Sequence, residues 1–375
     1  MREAPRLTES RDDVAIIGGG LVGMVTAHDL LTAGMRVTVF ERGSRLGAGQ
    51  SGHNSNVIHS GAFYVPGSLK ALLAARGRRM LEEFIAENGL PLARVGKLVV
   101  RKEGEEGLFA ELVSRAAANG VDGLVLGSAP ELREFEPLAT GTAALWLPHV
   151  AVTDFLAVLE VLARKVREAG GRIRLGVEVR MAGGSLAIDG YPPPHHVVVA
   201  AGTGFNALCP NAKWRVIGFK GSYRELLSPR TRRLIYAVPH PRHPFLGVHV
   251  TPTVSGDTLV GPTATLHPPL AVGRTAFLAA RNLRTAASEV TAWLSPAVMR
   301  TRVRRYVPEA IVGSEVVQEG IRAQAVDRRG GWADDFVFLR GPGVTFVANA
   351  PSPGATACLA IGERIAAEVK RHLRP

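Results

Sequence analysis

The chain has 375 residues, more than one compact core usually carries, which sets two domains as the expectation. It is 46% hydrophobic and 21% charged with two cysteines, Cys209 and Cys358, which excludes a disordered, collagenous or disulfide-scaffold protein. The net charge of +12 comes mostly from scattered arginine; only Arg300 to Arg305 (RTRVRR) cluster, without the interleaved aromatics of a single-strand binder, so no nucleic-acid partner is expected. No apolar run reaches the roughly 18 residues of a membrane span, and the first residues lack the apolar stretch of a secretory signal. The expected location is the cytoplasm, with the basic surface leaving open peripheral contact at the inner membrane face.

In chain order, 13–17 (DVAII) reads as a short buried strand, and GGGLVG follows at 18–23. A helix over 21–31 and a strand over 35–40, ending at Glu41, complete a βαβ unit of about 30 residues. A glycine-rich segment occupies 43–61. Helices are expected over 69–88, 107–119, 129–136 and 154–169, and strands over 97–101, 143–148 and the end of 170–179. The run VVVAA at 197–201 has the continuous apolar character of a central parallel strand. From 215 to 265 short strands alternate with Gly and Pro turns. A helix over 275–294, a strand over 343–349, a tight turn and a helix over 355–372 close the chain. Parallel pieces therefore stand at the start, middle and end, with antiparallel pieces between. The expected fold is α/β (α+β), a Rossmann-type nucleotide domain over 12–85, 150–214 and 316–375. An inserted, mainly antiparallel-sheet substrate domain takes 86–149 and 215–315.

Gly18, Gly20 and Gly23 lie between strand and helix, where each has a distinct task. The first permits the tight turn, the second lets the backbone approach a pyrophosphate, and the third lets helix and strand pack closely. The helix N-terminus adds its positive dipole end, and Glu41 can accept hydrogen bonds from an adenosine ribose. This much specifies a dinucleotide and leaves NAD and FAD open. Two features favour FAD. The glycine segment directly after Glu41 can run along the ribityl chain, and the strand–turn–helix over 344–365 presents a second helix N-terminus to the flavin pyrimidine.

GHNSNVIHSG at 52–61 and YVPGSLKA at 64–71 resemble the flavin loop of the L-2-hydroxyglutarate dehydrogenases and oxidases. These belong to the D-amino-acid-oxidase-like flavoproteins. The resemblance continues through GKLV at 96–99, ELREFEP at 131–137, PHPRHPFLGVHVTP at 239–252, GIRAQ at 320–324 and NAPSPGATACLAI at 349–361. It implies an FAD enzyme that oxidises the 2-hydroxyl of L-2-hydroxyglutarate to the ketone of 2-oxoglutarate by hydride transfer to flavin N5. Oxygen or a membrane quinone would accept the electrons. The cofactor-binding residues expected are Gly18, Gly20, Gly23, Glu41, Arg42, Ser51, His53, Asn54, Ser55, Val179, Ala201, Gly202, Asn349, Ser352, Gly354, Ala355 and Thr356. No metal site is expected.

Oxidising a 2-hydroxy acid needs a base for the hydroxyl proton and cations for the carboxylates. A neutral histidine suits the first task near pH 7. Among the 11 histidines, His59 and His249 are the candidate bases, ranked equally, and His53 is read as structural or flavin-contacting. Arg322 is the first candidate carboxylate clamp, since a guanidinium binds a carboxylate through two parallel hydrogen bonds. Lys220 and Tyr223 are expected to join the substrate site. Lys70 is read as structural or near the loop, and Asp334 and Asp335 as part of a solvated strand. Four segments depart from the resembled pattern. Lys220 and Ser222 replace an arginine and an acid, Asn56 replaces a glycine, Thr263 alters a GPNA turn, and 148–154 alters a PHTGIVD turn. These departures suggest an alternative, a relative specialised for another alcohol, hydroxy acid or amine.

Overall fold

The computed structural model describes residues 12–183, 185–239, 247–267 and 295–373. The helix expected over 275–294 and part of the motif at 239–252 lie outside them. A six-stranded sheet forms one half of the fold. Its order is Val337–Gly341, Val344–Asn349, His196–Val199, Val14–Ile17, Val37–Glu41 and Arg172–Leu175. Every neighbouring pair is parallel except the first, an edge hairpin. The apolar run of the first strand is buried throughout, as a central parallel strand requires. The chain leaves this strand toward Val37–Glu41 on one side, while His196–Val199 pairs on the other. The glycine turn at its carboxyl end therefore sits at a topological switch point, where open α/β sheets bind ligands.

Helices Leu21–Thr32, Phe155–Glu168, Leu69–Glu87 and Cys358–Leu373 cover one face of this sheet, joined in a single apolar cluster. Their starts are set by side-chain caps. Asp154 accepts the N–H of Leu156 (2.8 Å) and Ala157 (3.2 Å). Ser68 accepts that of Ala71, and the first N–H groups of the same helix, from Leu69 and Lys70, donate to Asp335 at 2.8 Å each. Asp335 is thus a helix cap rather than part of a solvated strand. Asn56 adopts φ 57°, the left-handed region in which asparagine is the best substitute for glycine. Its Oδ1 accepts from Phe155 N. The departure at Asn56 leaves the backbone path intact.

The second half is a ten-stranded sheet, mainly antiparallel, with one parallel pair between Leu234–Ala237 and Lys97–Arg101. Both inserts contribute to it. Its longest strand is Arg215–Ser228, where short strands were expected. It stays continuous because Gln318–Val326 pairs along most of its length. That pairing carries the second sheet past the boundary expected at 316. The last acid of the ELREFEP segment, Glu136, is buried and accepts from the N–H groups of Arg232 and Arg233. Among the described residues no helix is long and apolar enough to cross a membrane.

Candidate active site

A cavity of ≈ 370 Å³ runs from the glycine turn to the second sheet. Gly20 and Gly23 line its nucleotide end, at the start of helix Leu21–Thr32, which has no side-chain cap. A Cβ on Gly20 would stand 2.8 Å from Ser51 Oγ, and that hydroxyl accepts Leu21 N–H at 3.0 Å. A Cβ on Gly23 would collide with the carbonyl oxygen of Gly18, and one on Gly18, at φ 113°, with that of Ala200. The turn is therefore bare backbone at a helix N-terminus whose Gly20 supplies no cap of its own, a fit for a pyrophosphate. Gly23→Ala is expected to remove bound flavin, since the added methyl has no space between helix and strand. Flavin absorbance per protein after purification checks it, and retention above half would contradict it.

Ser51, His53, Asn54 and Ser55 line the next stretch of the cavity, with Gly202 opposite. Ser352, Gly354, Ala355 and Thr356 close its far end ahead of helix Cys358–Leu373. His53 Nδ1 bonds Gly49 O at 2.9 Å, holding its own loop. Thr356 Oγ1 accepts the backbone N–H of His59 at 3.1 Å, so the two ends of the flavin cradle are tied together.

Six expected cofactor residues lie outside the lining. Gly18 and Ala201 shape the turns behind it. Glu41 accepts N–H from Gly19 (2.8 Å) and Gly43 (2.7 Å), beside the glycine turn. Arg42 is exposed, and Val179 is buried in the apolar cluster that includes Phe40. Asn349 is committed elsewhere: its Oδ1 accepts Ala325 N–H, and its amide donates to the carbonyls of Ala333 and Asp335. Its side chain ties down three backbone groups on two segments and leaves no group for a ligand.

Tyr223, His249, Arg322 and His59 converge on the substrate end. A Cβ on Gly221 would come within 3.3 Å of Arg322 Nη2, so the missing side chain makes room for the guanidinium. Arg322 in turn hydrogen-bonds the Tyr223 phenol. Lys220 does not join them. Alternation along Arg215–Ser228 sends Gly221 and Tyr223 to the cavity and Lys220 and Ser222 to the opposite face. There Glu319 receives the Lys220 ammonium at 2.7 Å and the Ser222 hydroxyl at 2.8 Å. The departures at 220 and 222 thus fall outside the cavity.

Both histidines are buried. Burial holds the His59 pKa well below its usual value, with the charges of Lys97 and His249 acting the same way. Burial also lowers the His249 pKa to about 3, against the Gly247 carbonyl and with help from Arg322 and Lys97. His249 Nδ1 bonds Gly247 O at 3.0 Å. A carbonyl only accepts, so Nδ1 carries the proton and Nε2 is left as a bare lone pair. That Nε2 is buried and has no hydrogen-bond partner among the described residues. His59 Nε2 lies 3.4 Å from Ser352 Oγ, while its Nδ1 has no such partner.

Residues that sequence reasoning missed complete the site. Gln50 lines the cavity, and its Oε1 accepts Ala323 N–H at 2.9 Å, joining the flavin loop to the strand of Arg322. Tyr236 stacks on His249 with ring centroids 4.0 Å apart. Tyr64 and Lys70 also line the cavity. Only Tyr64 and Lys70 had a signal, their place in the resembled flavin-loop segment.

The FAD dependent oxidoreductase (DAO) family model matches residues 13–368. The chain belongs to that family. FAD is its cofactor, and the cradle described above fits it. The chain is 33% identical to the mitochondrial L-2-hydroxyglutarate dehydrogenase of Homo sapiens, over 96% of this chain and 89% of that protein. It is 32% identical to the L-2-hydroxyglutarate dehydrogenase of Indibacter alkaliphilus, over 93% and 96%. Among solved structures it is similar in fold to L-alpha-glycerophosphate oxidase from Mycoplasma pneumoniae, with a TM-score of 0.77, 22% identity and 97% and 95% coverage. Glycine oxidase from Geobacillus kaustophilus gives a TM-score of 0.75 at 20% identity, again covering 97% and 95%.

Proposed function

We propose that this oxidoreductase acts on the C2 hydroxyl of a 2-hydroxy acid, with L-2-hydroxyglutarate preferred, giving 2-oxoglutarate. The observation that carries the reading is the free lone pair of His249 Nε2, set in the same cavity as Arg322 and the flavin cradle. The relatives named above supply the substrate class. Bound FAD supplies the hydride acceptor for C2. Arg322 pairs with the C1 carboxylate and fixes C2 in the cavity. His249 Nε2 takes the hydroxyl proton and becomes an imidazolium whose Nδ1–H stays on the Gly247 carbonyl. His59, beside Ser352, offers a second polar contact to the substrate. Tyr223, Phe63 and Tyr236 wall the site against water.

Anaerobic absorbance of the flavin-loaded protein tests this. The flavin bands are expected to bleach with L-2-hydroxyglutarate and stay unchanged with the D-enantiomer. Bands unaffected by the L-acid that bleach with another alcohol, hydroxy acid or amine would replace the substrate and keep the fold. Reoxidation of the reduced enzyme by oxygen, compared with a membrane quinone analogue, assigns the electron acceptor.

A further inference from the structure

Lys97 opens the strand Lys97–Arg101 and is fully buried. Alternation places it on the same side as Val99, whose apolar cluster includes Leu147, Leu234 and Tyr236. The parallel pairing sets Lys97 opposite Leu234 and Val99 opposite Tyr236. The ammonium stands 4.2 Å from the centroid of the Tyr236 ring and 4.8 Å from that of Phe63. The Tyr236 ring then stacks on His249 at 4.0 Å with 17° between planes. Lys97 thus lies directly behind the cavity wall that carries the candidate base. Burial in this apolar setting brings its pKa down to about 7. A methionine fills similar space without desolvating a charge, so packing alone does not account for a lysine here.

We propose that Lys97 is a positioning residue for the oxidation: its buried charge, acting past the Tyr236 ring, adds to burial in keeping His249 and His59 in the neutral form that accepts a proton. The proposal rests on the reading of His249 as base. Among the described residues, Lys97 is the one lysine or arginine charge that acts on both histidines. His249 also faces Arg322, Tyr223 and Tyr236, and His59 also faces His249 and Ser352. Lys97 carries its charge below about pH 7, the range in which an ordinary histidine begins to gain its proton. Removing that charge lets the histidines protonate at higher pH.

The test is Lys97→Met in the full, flavin-loaded protein, with Lys97→Gln as second variant. Imidazole NMR across pH 3–8, without substrate, is expected to show the midpoint of at least one of the two histidines rising by about half a unit or more. Anaerobic flavin reduction should stay within about twofold of the parent at pH 8 and fall further below it at pH 4, toward the His249 midpoint of about 3. Thermal stability at pH 7 should not fall, because a buried charge has been removed. Unchanged midpoints, an equal loss of rate at both pH values, or loss of folding in both variants would overturn the proposal. The NMR midpoints need no turnover, so they report on Lys97 even if no hydroxy acid bleaches the flavin.

Discussion

Replacing Arg322 by Leu is expected to raise the KM for the hydroxy acid about a hundredfold, with flavin content unchanged. A factor of one hundred is about 2.7 kcal/mol, the range of a charge-assisted hydrogen-bonded pair whose carboxylate is left without a partner. The side chain is well placed for this. Gly221 leaves it room, Tyr223 holds it from the side, and its strand is paired along most of Arg215–Ser228. Arg322→Lys should recover only part of the loss, because an ammonium cannot present two parallel donors. Steady-state kinetics with a flavin spectrum of each variant decides it. A KM within about threefold of the parent, with flavin bound, would assign the carboxylate to another group.

His249→Gln is expected to slow flavin reduction by about 10²–10⁴-fold, the usual worth of a positioned general base. The amide can keep the bond to Gly247 O but cannot take a proton. His59→Gln should cost less, about tenfold, because His59 Nε2 already faces Ser352. Equal losses in the two variants would remove the distinction drawn between them. The same residue has a signature in stability. The pKa of His249 is about 3 in the folded chain against about 6.5 for an ordinary histidine. Between those values the unfolded chain binds the extra proton. Stability is therefore fully present above about pH 6.5 and is lost as pH falls toward 3, at about 1.4 kcal/mol per unit for one such group. His59, also lowered, adds in the same direction. Denaturant midpoints at pH 7 and pH 5 should converge in the His249→Gln protein relative to the parent.

The nucleotide end was legible because glycine positions report backbone demands directly. The missing Cβ atoms of Gly18, Gly20 and Gly23 each correspond to a close approach in the fold. The substrate end was harder, since which face of a strand a residue takes depends on its pairing partners. Lys220 and Tyr223 stand three apart and so lie on opposite faces of one strand, and only the pairing reveals that Tyr223 takes the cavity face. Asn349 was drawn to the cofactor by its motif, yet its side-chain amide is spent on three backbone groups, at Ala325, Ala333 and Asp335. Lys97 sits in an otherwise apolar run that reads as an ordinary strand. Its meaning comes from Tyr236 and His249, brought beside it by sheet pairing.

The bond from His59 to Thr356 joins positions 297 apart in the chain. Thr356 belongs to the turn that leads into helix Cys358–Leu373, so the two sides of the flavin cradle are made far apart in time. A nascent chain can shape its glycine turn early but cannot grip the cofactor until that distant turn docks. Contacts of such span make for slow folding. Cofactor capture would then wait on this long-range contact, and a shortage of flavin would leave the two sheets formed but unclasped.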